Sequence, residues 1–175
     1  DAEVEIKDVP SGIEVTKTAD PTSVAEPGGS VTFYVTITNI STIDTVTINS
    51  LVDDIHGDLD GQNDCSVPQT LVPSASYSCS FTATVTGNVG YVEKDTIEAI
   101  GLDDDGNEVR DDDPANVTIT DVKPTASLTK TVTKMLVTYV VKVFNDSTVE
   151  SVFVDALDDD EFGDLNGKGT CVLAE

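Results

Sequence analysis

Basic residues are scarce in this chain of 175 residues, which has nine Lys and Arg together against 33 Asp and Glu and a formal net charge of -24 at pH 7. Arg110 is its one arginine. Because proteins bind the phosphates of nucleic acids with clustered Lys and Arg, this balance excludes nucleic acid as a partner. The surplus of carboxylates favours cations as ligands, although a solubilising or salt-adapted surface has the same composition.

The residue types on which zinc binding and much hydrolytic catalysis depend are also rare, with no Trp, one His and three Cys. A structural zinc site takes four Cys or His ligands at close spacing, and a hydrolytic triad needs a His beside its nucleophile. The single His56 lies in an acidic stretch, where we expect an exposed loop residue with no catalytic or metal-binding role. The composition therefore predicts a protein that is not an enzyme.

The apolar residues occur in short alternating runs. No stretch approaches the roughly 20 apolar residues of a membrane-spanning helix, so we expect no membrane insertion in this segment. Val31, Phe33, Val35 and Ile37 alternate with polar residues, and residues 77–85 repeat the pattern. A period of two, in a chain rich in Val and Thr, is typical of half-buried strands. We predict an all-β fold in which two sheets form a sandwich.

An internal repeat is the strongest pattern in the sequence. Residues 39–67 align without a gap on residues 145–173. The residues that recur at the same spacing are Asn39, Ser41, Thr42, Leu51, Asp53, Asp54, Gly57, Asp58, Leu59, Gly61 and Cys65, as Asn145, Ser147, Thr148, Leu157, Asp159, Asp160, Gly163, Asp164, Leu165, Gly167 and Cys171. Residues 2–9 likewise match 115–122, and residues 15–18 match 128–131. The repeat has the length of one immunoglobulin-like (Ig-like) domain, for which about seven strands are expected.

The alignment divides the chain into three parts. Residues 1–10 correspond to the terminal strand of a preceding repeat, or to a strand donated to another copy. Residues 11–122 form one complete Ig-like repeat, and residues 123–175 form part of a second. The partners expected from this arrangement are neighbouring repeats or copies of the chain itself.

Two of the cysteines are placed for a disulfide. Cys65 and Cys79 both fall at apolar positions of strands that a turn-rich segment connects, which favours a disulfide over free thiols. Cys171 occupies the position of Cys65 in the second repeat and has no partner within this segment. A disulfide indicates an oxidising compartment, so we expect an extracellular or cell-surface protein.

Acidic residues are concentrated in two stretches that contain glycine and are predicted to be loops, residues 53–64 and residues 103–113. Crowded carboxylates repel one another unless a hard cation neutralises them, and Ca²⁺ accepts six to eight oxygen ligands. Neither stretch has the Glu that completes an EF-hand loop, so we expect a site between adjacent domains. Solvated acidic loops are the alternative. The predicted calcium ligands are Asp53, Asp54, Asp58, Asp60, Asp64, Asp103, Asp105, Asp111 and Asp113, with Asp159, Asp160 and Asp164 in the second repeat.

Three strings carry a family resemblance: VTKTADPTSVAEPGGSVTFYVTITN, CSVPQTLVPSASYSCSFTATVTG and DTIEAIGLDDDGNEVRDDDPANVTITDV. Together they resemble a conserved repeat domain of poorly defined function, which occurs in tandem in large surface and secreted proteins of bacteria and archaea. The resemblance implies an Ig-like Greek-key β-sandwich and a location at the cell surface. It implies no ligand and no catalytic residue.

These patterns predict a non-catalytic structural repeat of a large surface protein, an adhesin stalk or a fibre, made rigid by calcium and a disulfide. One alternative is a filament subunit that self-assembles by β-strand complementation. Another is an adhesion module that binds a sugar or a protein at its loop tips. Such a module needs exposed aromatic residues, for which Tyr91 and Phe162 are the candidates.

Overall fold

The computed structural model describes residues 3–4, 7–132 and 137–173, and all regular structure in those ranges is β-strand. The prediction of an all-β fold is confirmed. The chain divides into two compact units, Asp1–Asp121 and Val122–Glu175, each described on its own. The strands of the first unit are β1 (Ile13–Asp20), β2 (Ser23–Ala25), β3 (Gly28–Asn39), β4 (Val46–Asp53), β5 (Gly57–Asp58), β6 (Gln69–Leu71), β7 (Ser76–Thr86), β8 (Val92–Asp103) and β9 (Glu108–Thr120).

Two sheets make up the first unit. A three-stranded sheet has the order β1-β3-β7, with both pairs antiparallel. A six-stranded sheet has the order β2-β9-β8-β4-β5, with β6 also paired to β4. Its long strands are antiparallel, while the short β2 runs parallel to β9. The alternating patterns that predicted β3 and β7 thus lie on adjacent strands of one sheet.

The buried faces of both sheets share one apolar core. Inward residues of β3, including Phe33 and Ile37, are fully buried, and Phe33 stacks on Phe81 of β7 with ring centroids 5.1 Å apart. Ile48 and Ile97 fill the same core from the six-stranded sheet. Outward residues of β3 and β7 are Thr and Ser, except for the half-exposed Tyr34 of β3, as the period of two places them. This arrangement is consistent with a β-sandwich.

At one edge, side chains connect the two sheets. Asp111 Oδ2 accepts a hydrogen bond from the Val15 N–H (2.7 Å), and Asp113 Oδ2 accepts one from the Lys17 N–H (2.6 Å). Both carboxylates come from β9, and both amides belong to the edge of β1 that faces away from β3. The partners follow the same order along both strands, so β1 and β9 run parallel. These carboxylates occupy donors that an edge strand otherwise leaves unpaired.

The second unit has two separate pairs of strands, β10 (Ala126–Val132) with β11 (Tyr139–Asn145) and β12 (Asp158–Asp159) with β13 (Gly163–Asp164). Leu128 and Val143 of the first pair are exposed, and Phe153 is 90% exposed. The described part of this unit therefore presents an uncovered apolar face.

Residues 3–4 and 7–10, in the segment predicted to be a terminal strand, are exposed and belong to no strand. The other positions of that segment lie outside the described residues. Asp8 Oδ2 accepts a hydrogen bond from Asn107 Nδ2 at 3.2 Å, in the turn between β8 and β9. No helix long and apolar enough to cross a bilayer occurs among the residues that the structure describes.

Candidate functional site

A lysine lies in the apolar core of the first unit. The inward positions of β1 are Ile13, Val15 and Lys17, and the Lys17 side chain is fully buried. Lysine is among the residues least often buried, because taking an ammonium group out of water is costly unless it is paired. Lys17 must therefore be compensated by groups that the other strands bring to it.

Two aspartates from the opposite sheet provide this compensation. Lys17 Nζ lies 2.5 Å from Asp53 Oδ2 and 2.7 Å from Asp95 Oδ2, and the side chains of all three residues have no exposed surface. Asp53 ends β4, and Asp95 lies near the start of the adjacent β8. The ammonium also lies 4.6 Å from the centroid of the Phe33 ring, a distance at which a ring face attracts a cation.

The two aspartates differ in their hydrogen bonding. Asp53 Oδ1 accepts the backbone N–H groups of Ile55 (3.0 Å) and His56 (2.8 Å), and its Oδ2 accepts the hydrogen bond from Lys17 Nζ. Both oxygens of Asp95 are buried without a hydrogen-bond partner. Lys17 Nζ lies close to Asp95 Oδ2, but the two atoms are not oriented to form a hydrogen bond. Asp53 is held in place, and Asp95 is not.

His56 and Glu93 complete the group. His56 Nε2 lies 3.2 Å from Asp95 Oδ2 and 3.6 Å from Glu93 Oε1, with 15% of the His56 side chain exposed. The His56 ring also packs 5.5 Å from Phe33. The prediction that His56 is an exposed loop residue is wrong, because the turn that Asp53 stabilises directs its ring into the core. Burial raises the pKa of Glu93, with His56 opposing and the negative charge of Asp95 adding to the rise.

Lys17, Asp53, His56, Glu93 and Asp95 form what we call the buried charge cluster. Ligand atoms of Asp53, His56 and Asp95 lie within 4.8 Å of one another, close enough for a metal ion. The Lys17 ammonium already lies within 2.7 Å of both carboxylates, so a metal ion would have to displace it. The buried charge cluster is thus centred on Lys17, and its three acidic residues outnumber its two basic ones.

The second unit repeats the centre of the cluster. Lys130, which aligns with Lys17, forms an ion pair with Asp159, which aligns with Asp53. Its Nζ lies 4.2 Å from the centroid of the Tyr139 ring and 5.5 Å from that of Phe162. The hydrogen bond to Asp159 raises the pKa of Lys130, and the same bond lowers the pKa of Asp159. The alignment of residues 39–67 on residues 145–173 does not include Asp95.

Most predicted calcium ligands in residues 53–64 accept hydrogen bonds from backbone amides. Asp54 accepts the Thr96 N–H (2.7 Å), and Asp58 accepts the Asp60 N–H (3.0 Å). Asp60 in turn accepts the Val67 N–H (3.0 Å). Asp64 accepts the N–H and hydroxyl of Ser80, and the backbone bond holds the pKa of Asp64 below its ordinary value. The contacts of Asp58 and Asp60 shape the loop, and those of Asp54 and Asp64 connect it to β8 and β7, so no cation is needed to explain them.

Residues 103–113 were predicted to form one loop, but only residues 104–107 lie between strands. Asp111 and Asp113 belong to β9 and accept the two hydrogen bonds from β1 described above. Asp103 ends β8 and pairs with Val46 at the start of β4. Asp53 ends β4 and pairs with Ile97, so the two acidic stretches lie at opposite ends of β4.

A compact acidic group lies at the turn between β8 and β9. Asp44, Asp104 and Asp105 have ligand atoms within 4.8 Å of one another. The negative charge of Asp8, then partial burial, raises the pKa of Asp105. Burial opposes the ionisation of Asp103, but hydrogen bonds from Asn107, Asp105 and Ser11 together lower its pKa. Asp105, one of the predicted calcium ligands, therefore lies where neighbouring negative charges repel its carboxylate.

In the second unit, Asp159 accepts the backbone N–H groups of Glu161 and Phe162, each at 3.0 Å, and Asp164 accepts that of Asn166 at 2.9 Å. Asp160 is exposed. Of the aromatic candidates for adhesion, Tyr91 is 46% exposed and packs against Gly87, where an added Cβ would lie 2.7 Å from its ring. Phe162 packs against Tyr139 at 5.4 Å.

The predicted disulfide is confirmed. Cys65, in the loop between β5 and β6, is bonded to Cys79 on β7, with 14 residues of sequence separation. The bond connects a loop of the six-stranded sheet to the three-stranded sheet. Cys171 has a free thiol.

Lys17 is not among the site residues predicted from the sequence. A signal was available, because Lys17 continues the inward phase of Ile13 and Val15 and recurs as Lys130. A lysine at an apolar position of a strand predicts buried acidic partners. The partners lie far along the sequence, so the pattern alone does not say which of the many acids they are.

Comparisons with known proteins provide no functional assignment. No protein-family profile matches the chain, and no curated protein matches it. A solved structure, that of an ApaA protein from Bordetella pertussis, is similar over 66% of this chain and 97% of its own length, with 14% sequence identity and a TM-score of 0.37. A likeness that distant supports no argument about function.

Proposed function

We propose that the chain is a load-bearing structural repeat of an extracellular or cell-surface protein, with Ig-like Greek-key sandwiches arranged in tandem. The observation that carries this proposal is the parallel arrangement of β1 and β9, the first and last long strands of the first unit. Tension on the ends of this unit pulls these strands in opposite directions along their lengths. The contacts between them are then loaded together in shear, which resists force better than breaking them one at a time.

Two connections between the sheets support the same function. The Cys65–Cys79 disulfide ties β7 to a loop of the six-stranded sheet, and Lys17 of β1 contacts Asp53 and Asp95 of that sheet. Both restrain sliding of one sheet over the other. Because a disulfide persists in oxidising surroundings, it supports the proposed extracellular location.

Calcium binding is a second part of the proposal and is narrower than the sequence suggested. We place the ion at Asp44, Asp104 and Asp105, whose ligand atoms lie within 4.8 Å of one another. A divalent cation would relieve the repulsion that raises the pKa of Asp105. Neighbouring backbone carbonyls and water would supply the remaining oxygen ligands.

Single-molecule stretching of the chain tests the load-bearing function. We expect the double variant D111A/D113A to unfold at a lower force than the parent chain, because β1 loses the carboxylates that connect it to β9. The matched control is D112A, since Asp112 lies between them on β9 and is exposed. Equal unfolding forces for the parent and the double variant would contradict the proposal.

Strand complementation between copies is a second candidate, favoured by the apolar face of the second unit, where Phe153 is 90% exposed. In this case copies of the chain would associate through that face. Light scattering over a range of concentrations tests it. A monomer at all concentrations would reject this candidate and leave the load-bearing function untouched.

A further inference from the structure

The buried charge cluster has the components of a self-catalysed amide bond. A primary amine contacts two carboxyl groups in an apolar environment from which water is excluded. One of the two, Asp53, is held by backbone amides, and the other, Asp95, has both oxygens unpartnered. We propose that Lys17 Nζ and Asp95 Cγ join in an intramolecular isopeptide bond, with Asp53 transferring the protons.

The geometry explains why Asp95 is the acceptor. The lysine nitrogen lies 2.7 Å from Asp95 Oδ2 without forming a hydrogen bond to it. No donor therefore holds the Asp95 carboxyl group in an orientation that would prevent attack at its carbon. Asp53 Oδ1 accepts two backbone N–H groups, and donors of this kind stabilise a carboxylate. A carboxylate is a poor electrophile and a good base.

The reaction requires Lys17 as the ammonium, Asp53 as the carboxylate and Asp95 as the neutral acid. Asp53 Oδ2 takes a proton from Lys17 Nζ, and the freed amine attacks Asp95 Cγ. The nitrogen then loses a second proton, the Cγ–OH bond breaks, and the hydroxyl leaves as water with a proton shuttled by Asp53. The products are the amide, one water molecule and the protonated Asp53, so atoms and charge balance without an oxidant or another reactant.

Folding supplies the driving force that this condensation lacks in water. Holding two reacting groups in contact is equivalent to an effective concentration of about 10⁵–10⁸ M. The side chains of Lys17, Asp53 and Asp95 have no exposed surface, so bulk water is kept from the bond once it has formed. Burial also favours the product, because a neutral amide replaces an ammonium group in the core.

The bond would join β1 to β8, which belong to different sheets. The second unit has the counterparts of Lys17 and Asp53, namely Lys130 and Asp159, in an ion pair. This recurrence indicates that the lysine and the proton-transferring acid belong to the repeat itself. The inference rests on the buried charge cluster alone and goes beyond the proposed load-bearing function, which does not require it.

Mass spectrometry of the whole chain, purified in its folded form and then denatured and reduced, tests the proposal. We expect a mass lower than that of the sequence by one water molecule. Cleavage after glutamate locates the bond, because Glu93 and Glu98 flank a fragment of residues 94–98 that contains Asp95. We expect this fragment to remain attached to the fragment that contains Lys17.

Two other outcomes would each overturn the proposal. A mass equal to that of the sequence means that no bond forms. A loss of water with residues 94–98 released as a free peptide means that the acceptor is another acid, such as Asp53.

Variants test the assigned roles. K17R keeps the positive charge but has no amine, so we expect it to have the full mass of its sequence, whereas the matched control K7R should still lose water. D53N should retain the unreacted lysine while keeping the shape of the side chain, and its circular dichroism shows whether it has folded. If folded D53N loses water as completely as the parent chain, Asp53 does not transfer the protons.

Discussion

Lys17 Nζ lies 2.5 Å from Asp53 Oδ2, and neither side chain has any exposed surface. Their residues are 36 positions apart and belong to different sheets. A buried ion pair gives little net stability compared with apolar side chains, but removing one partner leaves a charge without compensation in the core. The pair therefore fixes how the two sheets are aligned, and it makes the fold sensitive to single substitutions.

Replacing Lys17 with methionine keeps most of the side-chain volume and removes the charge. We expect K17M to lower the free energy of unfolding by about 3–5 kcal/mol, because it leaves Asp53 and Asp95 buried without the lysine, whether that lysine is ion-paired to them or joined to Asp95. Urea unfolding followed by circular dichroism measures the change. K94M is the matched control, since Lys94 is exposed, and its effect should stay within about 0.5 kcal/mol. Equal midpoints for the two variants would show that the ion pair is unimportant.

The raised pKa of Glu93 makes stability depend on pH. Burial is the main cause of the rise above the ordinary value of 4.5, so the folded state holds this proton more tightly than the unfolded state. The contribution of Glu93 to the free energy of unfolding is therefore largest when the pH is below the ordinary pKa. This contribution is lost as the pH rises from there through the folded-state pKa. In E93Q the loss should be absent over this window.

Thermal unfolding of the parent chain and E93Q at a series of pH values measures this difference. His56, Asp53, Asp95 and Lys17 face Glu93 and are present in both proteins, so their charges act on both curves. The exposed Glu14 gives a matched control, E14Q. If E93Q and the parent chain lose stability in parallel as pH rises, Glu93 is not the group responsible.

The disulfide should contribute strongly to the stability of the first unit. It closes a loop with a sequence separation of 14 residues, for which the chain-entropy relation gives about 3 kcal/mol. We expect a C65S/C79S variant to unfold at a correspondingly lower urea concentration, and a reductant to have the same effect on the parent chain. C171S should behave as the parent, because Cys171 is free. An unchanged midpoint for the double variant would contradict the prediction.

Calcium should raise the melting temperature if it binds at Asp44, Asp104 and Asp105. A ligand at 100 times its dissociation constant stabilises the folded state by about 2.7 kcal/mol. We expect D104N/D105N to lose this response to added Ca²⁺, and D58N to keep it, since the Asp58 side chain accepts a hydrogen bond within its own turn. A parent chain that melts at the same temperature in calcium and in a chelator would exclude the site.

The sequence predicted those features that depend on local pattern. Alternation placed Phe33 and Phe81 in the core. The disulfide of Cys65 and Cys79 was also predicted, although Cys65 lies in a loop and not on a strand as expected. The sequence did not predict contacts between residues that lie far apart along the chain. Nothing near Asp53 distinguishes it from Asp54, yet Asp53 is buried beside Lys17 and Asp54 accepts a backbone amide of β8. The acidic run of β9 was taken for a loop, because the bonds from Asp111 and Asp113 to β1 span 96 residues of sequence.

The hydrogen bonds that Asp111 and Asp113 accept from β1, which we call the seam between β1 and β9, affect which insertions and deletions the fold tolerates. Side chains close the edge between β1 and β9, so neither strand needs the other's backbone register. The segment after β1 is where the two repeats differ in length, with residues 19–30 longer than their counterpart. Insertions and deletions there can accumulate without shifting the seam, and related repeats should vary in that connection while retaining aspartates on alternate positions of the last strand.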